Sequence, residues 1–200
     1  MTPKPFKGLP IIETDRLILR DLRFEDADAY FHYHNLDAAL EYYDWRPNSL
    51  DEAIESIRSI RADYEEQKYL HFAITLKESD QLIGDCGIFF ADHKGEINYM
   101  LDPTYWGKGY MKEALTGLMS LCFKEADVYR IQAMTLPDND ASRSMLTSLN
   151  FTCEGTLRKY GFNALKNDYI DLLMWSLLKS EFEDKAKPKE KEEDLPRRKS

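Results

Sequence analysis

No stretch of this 200-residue chain stays apolar for the ~18 residues that a membrane-spanning helix needs, and the N-terminus lacks the unbroken apolar core of a secretory signal. The expectation is a cytoplasmic protein with no membrane partner. Cysteine is scarce: Cys86, Cys122 and Cys153 are too few and too widely spaced for a disulfide framework or a zinc knuckle, so buried reduced thiols are expected. The four histidines, His32, His34, His71 and His93, show no metal-ligand spacing, and no metal is expected. Basic residues are in deficit, 27 Lys and Arg against 36 Asp and Glu, for a net charge of -9. The last twenty residues hold seven acids and seven bases, so the whole imbalance lies in residues 1–180. An acidic body repels the nucleic-acid backbone and is compatible with cationic substrates such as amines or basic peptides.

What is present fits one globular domain, with 43% apolar and 12% aromatic residues. Residues 1–10 contain three prolines and a glycine and read as a flexible arm; residues 181–200 are almost free of apolar groups and read as a charged, disordered tail. Between them, residues 11–180 carry the pattern of a mixed fold. Leu17–Arg20 suits a first strand, and Phe24–His34, with acids in its first turn, suits a helix. A loop over Asp37–Asn48 follows. Ser49 and Glu52 form a capping box, and Ile54, Ile57, Ile60 and Tyr64 make the buried stripe of a second helix. The period then becomes two. Tyr69–Leu76, Leu82–Phe90 and a strand from Glu96 predict an antiparallel meander. Arg130–Leu136 is a further strand, Pro137-Asp138-Asn139-Asp140 opens another helix, and Phe151–Arg158 and Tyr169–Leu178 are two more strands linked by an irregular Tyr160–Asp168.

The chain is organised around Gly95–Phe123. Alternation over Glu96–Leu101 gives a strand that Pro103 stops, and Ala114, Leu115, Leu118, Met119, Cys122 and Phe123 recur at helical spacing. Gly107 and Gly109 sit where that helix begins, so its first amides, the helix dipole and Lys108 can form an anion cradle. An ordinary turn is the alternative reading. The strands on either side of this helix are expected to be parallel neighbours joined by a right-handed crossover.

Several short motifs in this order resemble the GNAT acetyltransferases, and more narrowly the ribosomal-protein N-terminal acetyltransferase branch. They are Glu13-Thr14-Asp15-Arg16-Leu17, Trp106-Gly107-Lys108-Gly109-Tyr110, Asn139 with Ser142, and Asn150-Phe151. The resemblance covers about residues 11–178. Thr104 stands where many relatives begin the diphosphate motif with Gln or Arg, and Asn150-Phe151 replaces the usual Gly-Phe. Met134 stands where some peptide-acetylating relatives carry a glutamate base.

The resemblance implies an α+β GNAT fold, a mostly antiparallel sheet with one splayed parallel strand pair and helices on both faces. It implies acetyl transfer from acetyl-CoA to a primary amine, most simply a protein or peptide α-amino group. Small-molecule amines, or an acetyl-CoA-binding module without transfer, are the alternatives; a homodimer stays open. The diphosphate is expected on the amides of Trp106, Gly107, Lys108, Gly109 and Tyr110, and the pantetheine along Met100, Leu101 and Asp102, with Asn139 and Ser142 opposite. Glu96 is a candidate base, Asp85 and Asp168 are further carboxylates, and Ser142 or Tyr160 could protonate the leaving thiolate. Tyr42, Tyr43, Trp45, Arg46 and Pro47 are expected to form part of an acceptor wall. With no sequence cue for an activated cysteine, direct attack without an acetyl-enzyme is expected.

Overall fold

Alternation decides which side of the sheet each residue serves. In a computed structural model describing residues 6, 8–43, 45–66, 69–164 and 167–186, Leu70, Phe72 and Ile74 point into one core while Ala73 points into a second on the opposite face. In chain order the elements are β1 (Ile12–Glu13), β2 (Leu17–Arg20), α1 (Ala27–His34), α2 (Asp37–Leu40), α3 (Leu50–Glu66), β3 (Tyr69–Leu76), β4 (Leu82–Ala91) and β5 (Lys94–Leu101). They continue with α4 (Tyr110–Glu125), β6 (Arg130–Thr135), α5 (Asp140–Ser148), β7 (Thr152–Asn163), β8 (Asp168–Leu178) and α6 (Lys179–Ala186). The eight strands make one sheet in the order β1-β2-β3-β4-β5-β6-β8-β7.

The meander β3–β4–β5 is antiparallel as expected, and β5 and β6 are the parallel pair that α4 connects. The α4 stripe Ala114, Leu115, Leu118, Met119, Cys122 and Phe123 is buried against one face of the sheet, each large side chain contributing about 1.5–3 kcal/mol. On the other face Tyr30 and Tyr33 of α1 and Ala53 and Ile57 of α3 pack over Ala73, Leu82 and Met100. No helix among the described residues is long and apolar enough to cross a membrane.

Several boundaries differ from the sequence expectation. The helix at Phe24 opens as a 3-10 turn over Phe24–Asp26 before α1, and the expected loop at 37–48 contains α2. The Ser49 hydroxyl caps Glu52 N at 3.2 Å, but the Glu52 carboxylate turns to Asn48 N (2.8 Å) instead of closing the box. Strand β7 runs to Asn163; what reads as an irregular link from Tyr160 is a register shift between Leu157 and Gly161, with Lys159 at φ 51° and its amide held by Asp171. Residues 165 and 166 of that link lie outside the described residues. The tail boundary also moves. Residues 181–186 continue α6, because the Phe182 ring finds Phe123 at 5.1 Å, and the rest of the tail lies outside the described residues. Of the N-terminal arm, Phe6 and Leu9 pack against the α4-side core.

Candidate active site

Strands β5 and β6 pair only at Lys94–Arg130, Gly95–Ile131 and Glu96–Gln132, so residues 97–101 of β5 have no partner on β6. A parallel pair that parts after three residues leaves backbone groups to be satisfied some other way. Two carbonyls on this stretch accept from side chains: the Tyr43 hydroxyl donates to the Tyr99 carbonyl, and Trp106 Nε1 donates to Leu101 O at 2.8 Å. The expected acceptor wall therefore touches β5 through Tyr43, while Trp45 and Arg46 are exposed and Pro47 is buried.

Past β5, Asp102 caps a 3-10 turn over Pro103–Tyr105, accepting from Thr104 N and Thr104 Oγ1 at 2.8 Å each. Gly107 at φ 72° and Gly109 at φ 80° then reverse the chain into α4 through the left-handed region, which only glycine enters freely. Among the described residues, none of the amides of residues 107–112 donates a hydrogen bond within the protein. A Cβ at Gly107 would meet nothing within 4 Å, so the turn faces open space. Unpaired amides at the positive end of a 16-residue helix, an approachable backbone and the exposed Lys108 fit a diphosphate.

The N-terminal motif holds this turn in shape. Thr14 Oγ1 donates to Glu113 Oε1 at 2.6 Å, Arg16 N to the same oxygen at 2.8 Å, and Arg16 Nε to Glu113 Oε2 at 2.7 Å. Arg16 also donates from NH1 to the Lys108 carbonyl at 3.0 Å and lies over the Tyr110 ring at 4.4 Å. Burial alone would raise the Glu113 carboxyl, but Thr14 and Arg16 hold it below the usual range. Arg16→Ala is expected to weaken acetyl-CoA binding about tenfold by loosening the Lys108 peptide, with little change in Tm because the pair is partly exposed. Calorimetric titration with CoA checks it.

Across the splay, Asn139 Oδ1 accepts from Ser142 N at 3.0 Å, so Asn139 is the N-cap of α5. The Ser142 hydroxyl is hydrogen-bonded to the Tyr99 hydroxyl, which joins α5 to β5. Burial pushes the Tyr99 phenol up, against the lowering effect of Ser142, to about 12. Tyr160 is 62% exposed on β7, whereas Ser142 is bonded to Tyr99. Glu96 lies at the closed end of the splay and accepts from Gln132 Nε2 at 2.8 Å. The Met100 side chain is buried in the α1/α3 core and Leu101 in the α4-side core, leaving only their backbones to the cleft. Asp168 lies at the far end of β8, paired with Asn163 of β7.

Asp85, a candidate carboxylate by sequence, has partners on the α1/α3 side that sequence reasoning missed. Asp85, 5% exposed, meets Tyr33, His34 and His71, and Tyr69 links His71 to Asn98 on the open part of β5. A signal was present: Tyr69 and His71 alternate onto a face that should be buried, and Asp85 interrupts an otherwise apolar strand.

A sheet splayed beside a glycine turn with six unpaired amides is a cleft suited to a diphosphate with an extended arm. Residues 16–152 match the family model of the acetyltransferase (GNAT) domain, and the chain belongs to that family. It is 36% identical over 173 residues, 84% of this chain and 96% of the relative, to an uncharacterized N-acetyltransferase p20 of Bacillus licheniformis. Mycobacterium smegmatis RimJ in complex with CoA-disulfide is similar in fold, with a TM-score of 0.76 at 22% identity over 90% of this chain and 91% of that one. RimL, a ribosomal L7/L12 alpha-N-protein acetyltransferase in complex with coenzyme A, has a TM-score of 0.75 at 21% identity over 84% of this chain and 98% of its own. The chain is thus an N-acetyltransferase with acetyl-CoA as its donor.

Proposed function

We propose that the acceptor is the α-amino group of a protein or peptide. The observation that carries this reading is the lane on the α1/α3 side of the splay. Asn98 is exposed there, Glu96 and Gln132 lie beside it, and Phe89, paired with Glu96 across β4 and β5, is 49% exposed. An open lane with a carboxylate and an aromatic edge suits an extended chain end carrying an ammonium group. The fold likeness to RimL supports the same acceptor.

In this reading Glu96 attracts the ammonium, and a backbone amide at Met100 or Leu101 stabilises the oxyanion by about 3 kcal/mol. The donor supplies an activated thioester. Tyr99, protonated at neutral pH, and Ser142 donate to the departing thiolate. Attack is direct: Cys86 and Cys122 are buried with their thiols pushed up by burial, and Cys153 lies exposed on β7.

The test is a screen with product mass measured, using peptides with a free N-terminus, the same peptides N-formylated but containing lysine, and spermidine. Acetylation of the free α-amino group, with kcat/KM at least about tenfold above spermidine, is expected. Preference for spermidine or for the lysine side chain would overturn the α-amino reading.

A further inference from the structure

The Asp85 carboxylate sits in a built polar chain that ends at the open part of the splay. His71 Nε2 lies 3.0 Å from Asp85 Oδ1, and since a carboxylate only accepts, Nε2 carries a proton. The Tyr69 hydroxyl lies 2.7 Å from Nδ1, which is the acceptor when Nε2 holds the ring's single proton. The hydroxyl has one proton to give, and His71 Nδ1 at 2.7 Å is a nearer acceptor than Asn98 Oδ1 at 3.2 Å; with the proton on that bond, the hydroxyl oxygen accepts from Asn98 Nδ2 at 3.0 Å. Asn98 is exposed and lies two residues beyond the last β5–β6 pair. The other Asp85 oxygen is taken by the Tyr33 hydroxyl at 2.6 Å, with His34 Nε2 at 3.4 Å. Gly87 makes the arrangement fit, since a Cβ there would lie 2.7 Å from the Tyr69 hydroxyl and 2.8 Å from Asn98 Oδ1.

Nothing in a purely structural role requires an aspartate, a histidine and a tyrosine to be bonded in line under an exposed strand edge. Burying a charge is costly unless it is paired, and an apolar core would hold this face more simply. The order carboxylate, imidazole, hydroxyl is that of a hydrolase triad, in which the carboxylate fixes the tautomer and stabilises the imidazolium that forms.

We propose that Tyr69 takes the proton from the acceptor ammonium and passes its own to His71, with Asp85 as the positioning carboxylate. One N–H bond of the ammonium breaks and a new O–H bond forms on Tyr69. The former Tyr69 proton moves to His71 Nδ1, so the positive charge shifts from the acceptor to an imidazolium beside Asp85. The free amine attacks the thioester, Tyr99 protonates the departing thiolate and is reprotonated by the second proton of the former ammonium, and His71 returns its proton to solvent through Tyr69. Burial would raise the Asp85 carboxyl, but His71 and His34 outweigh it and hold it well below the usual carboxylate range, so it is charged throughout. The other titratable groups facing the relay are Tyr30, Tyr33 and His34 of α1, Tyr64 of α3, whose hydroxyl bonds His71 O at 2.6 Å, and Tyr43. Burial pushes all four tyrosines up, so each keeps its proton, and of the two histidines it is His71 that the Tyr69 hydroxyl meets.

The inference rests on acetylation of an amine and not on which amine it is. Tyr69→Phe keeps the ring stacked on Phe89 at 3.8 Å, so Tm and CoA affinity should hold. With an alanine-starting hexapeptide and with spermidine as acceptors, its kcat should be about a hundredfold low at pH 7. For the hexapeptide the deficit should shrink to about tenfold at pH 9, where an α-amino group of pKa ~8 is already mostly free. A wild-type rate at pH 7, or a loss that is the same at every pH, overturns the relay. Independently of any acceptor, 15N NMR of the protein at pH 7 should show His71 with Nε2 protonated and Nδ1 bare. A protonated Nδ1 would leave the relay nothing to accept with and overturns it too.

Discussion

Gly107→Glu is expected to weaken acetyl-CoA binding about a hundredfold, about 2.8 kcal/mol, while shifting Tm by only a few degrees. Nothing lies within 4 Å of a Cβ at this position, so the new side chain displaces no neighbour. The left-handed conformation at φ 72° adds strain of about 1–2 kcal/mol for a residue with a Cβ, and that part acts on the fold. The larger part is electrostatic. A carboxylate about 5 Å from a bound diphosphate repels it by about 3 kcal/mol per unit charge at an effective dielectric of 20, and it also competes for the amides of residues 107–112. Gly107→Ala separates the two, because it carries the strain without the charge and should lose only a few-fold in affinity. Titration calorimetry with acetyl-CoA on both variants, beside thermal melts, decides it. Unchanged affinity in Gly107→Glu would mean that the diphosphate does not sit on this turn.

The turn was legible in the sequence because its physics is local. Two glycines, a proline stop and a helical stripe within thirty residues specify where amides stay unpaired, whatever the rest of the chain does. The meander was legible for the same reason, through alternation in Tyr69–Leu76 and Leu82–Phe90. What could not be read were pairs whose spacing depends on strand register. Tyr99 and Ser142 meet only because β5 and β6 part after Glu96 and Gln132, and no local pattern announces that. His71 and Asp85 meet because β3 and β4 pair Ala73 with Asp85, placing the carboxylate diagonally from the imidazole. Arg16 and Glu113 lie 97 residues apart, and the motif that contains Arg16 marked the family without disclosing that it braces the Lys108 peptide. Glu96 reads as a candidate base from its place at a strand start, while its contact with Gln132 at the last β5–β6 pair depends on the same register.

The largest loss of stability is expected at the buried pair Arg20 and Asp26. Arg20 is 3% exposed and Asp26 8%, and they make a two-pronged contact, NH1 to Oδ2 at 2.7 Å and NH2 to Oδ1 at 2.9 Å. Asp26 also accepts from Arg23 N at 2.8 Å, which fixes the entry to α1, and Asp80 takes Arg20 Nε at 2.8 Å. Burial would lower the guanidinium's pKa, but hydrogen bonds to Asp26 and Asp80 hold it above its ordinary value, so Arg20 cannot escape by losing its proton. Asp26→Ala therefore strands a buried charge with one half-exposed partner, and should destabilise by about 3–5 kcal/mol, a fall in Tm of roughly 10 °C for a chain of this size. Asp80→Ala, whose carboxylate is 49% exposed, should lose only about 1 kcal/mol. The double change Arg20→Met with Asp26→Leu should recover most of the loss, since it removes both charges and keeps the volume. Urea melts of the three variants rank these outcomes; a loss below about 1 kcal/mol in Asp26→Ala would mean that Arg20 reaches water. The clamp lies on β2 and the start of α1, away from the glycine turn, so folded Asp26→Ala should bind acetyl-CoA as the parent does. Its α1, however, carries Tyr33 to Asp85, and a loosened entry should reach catalysis through that contact before it reaches the donor.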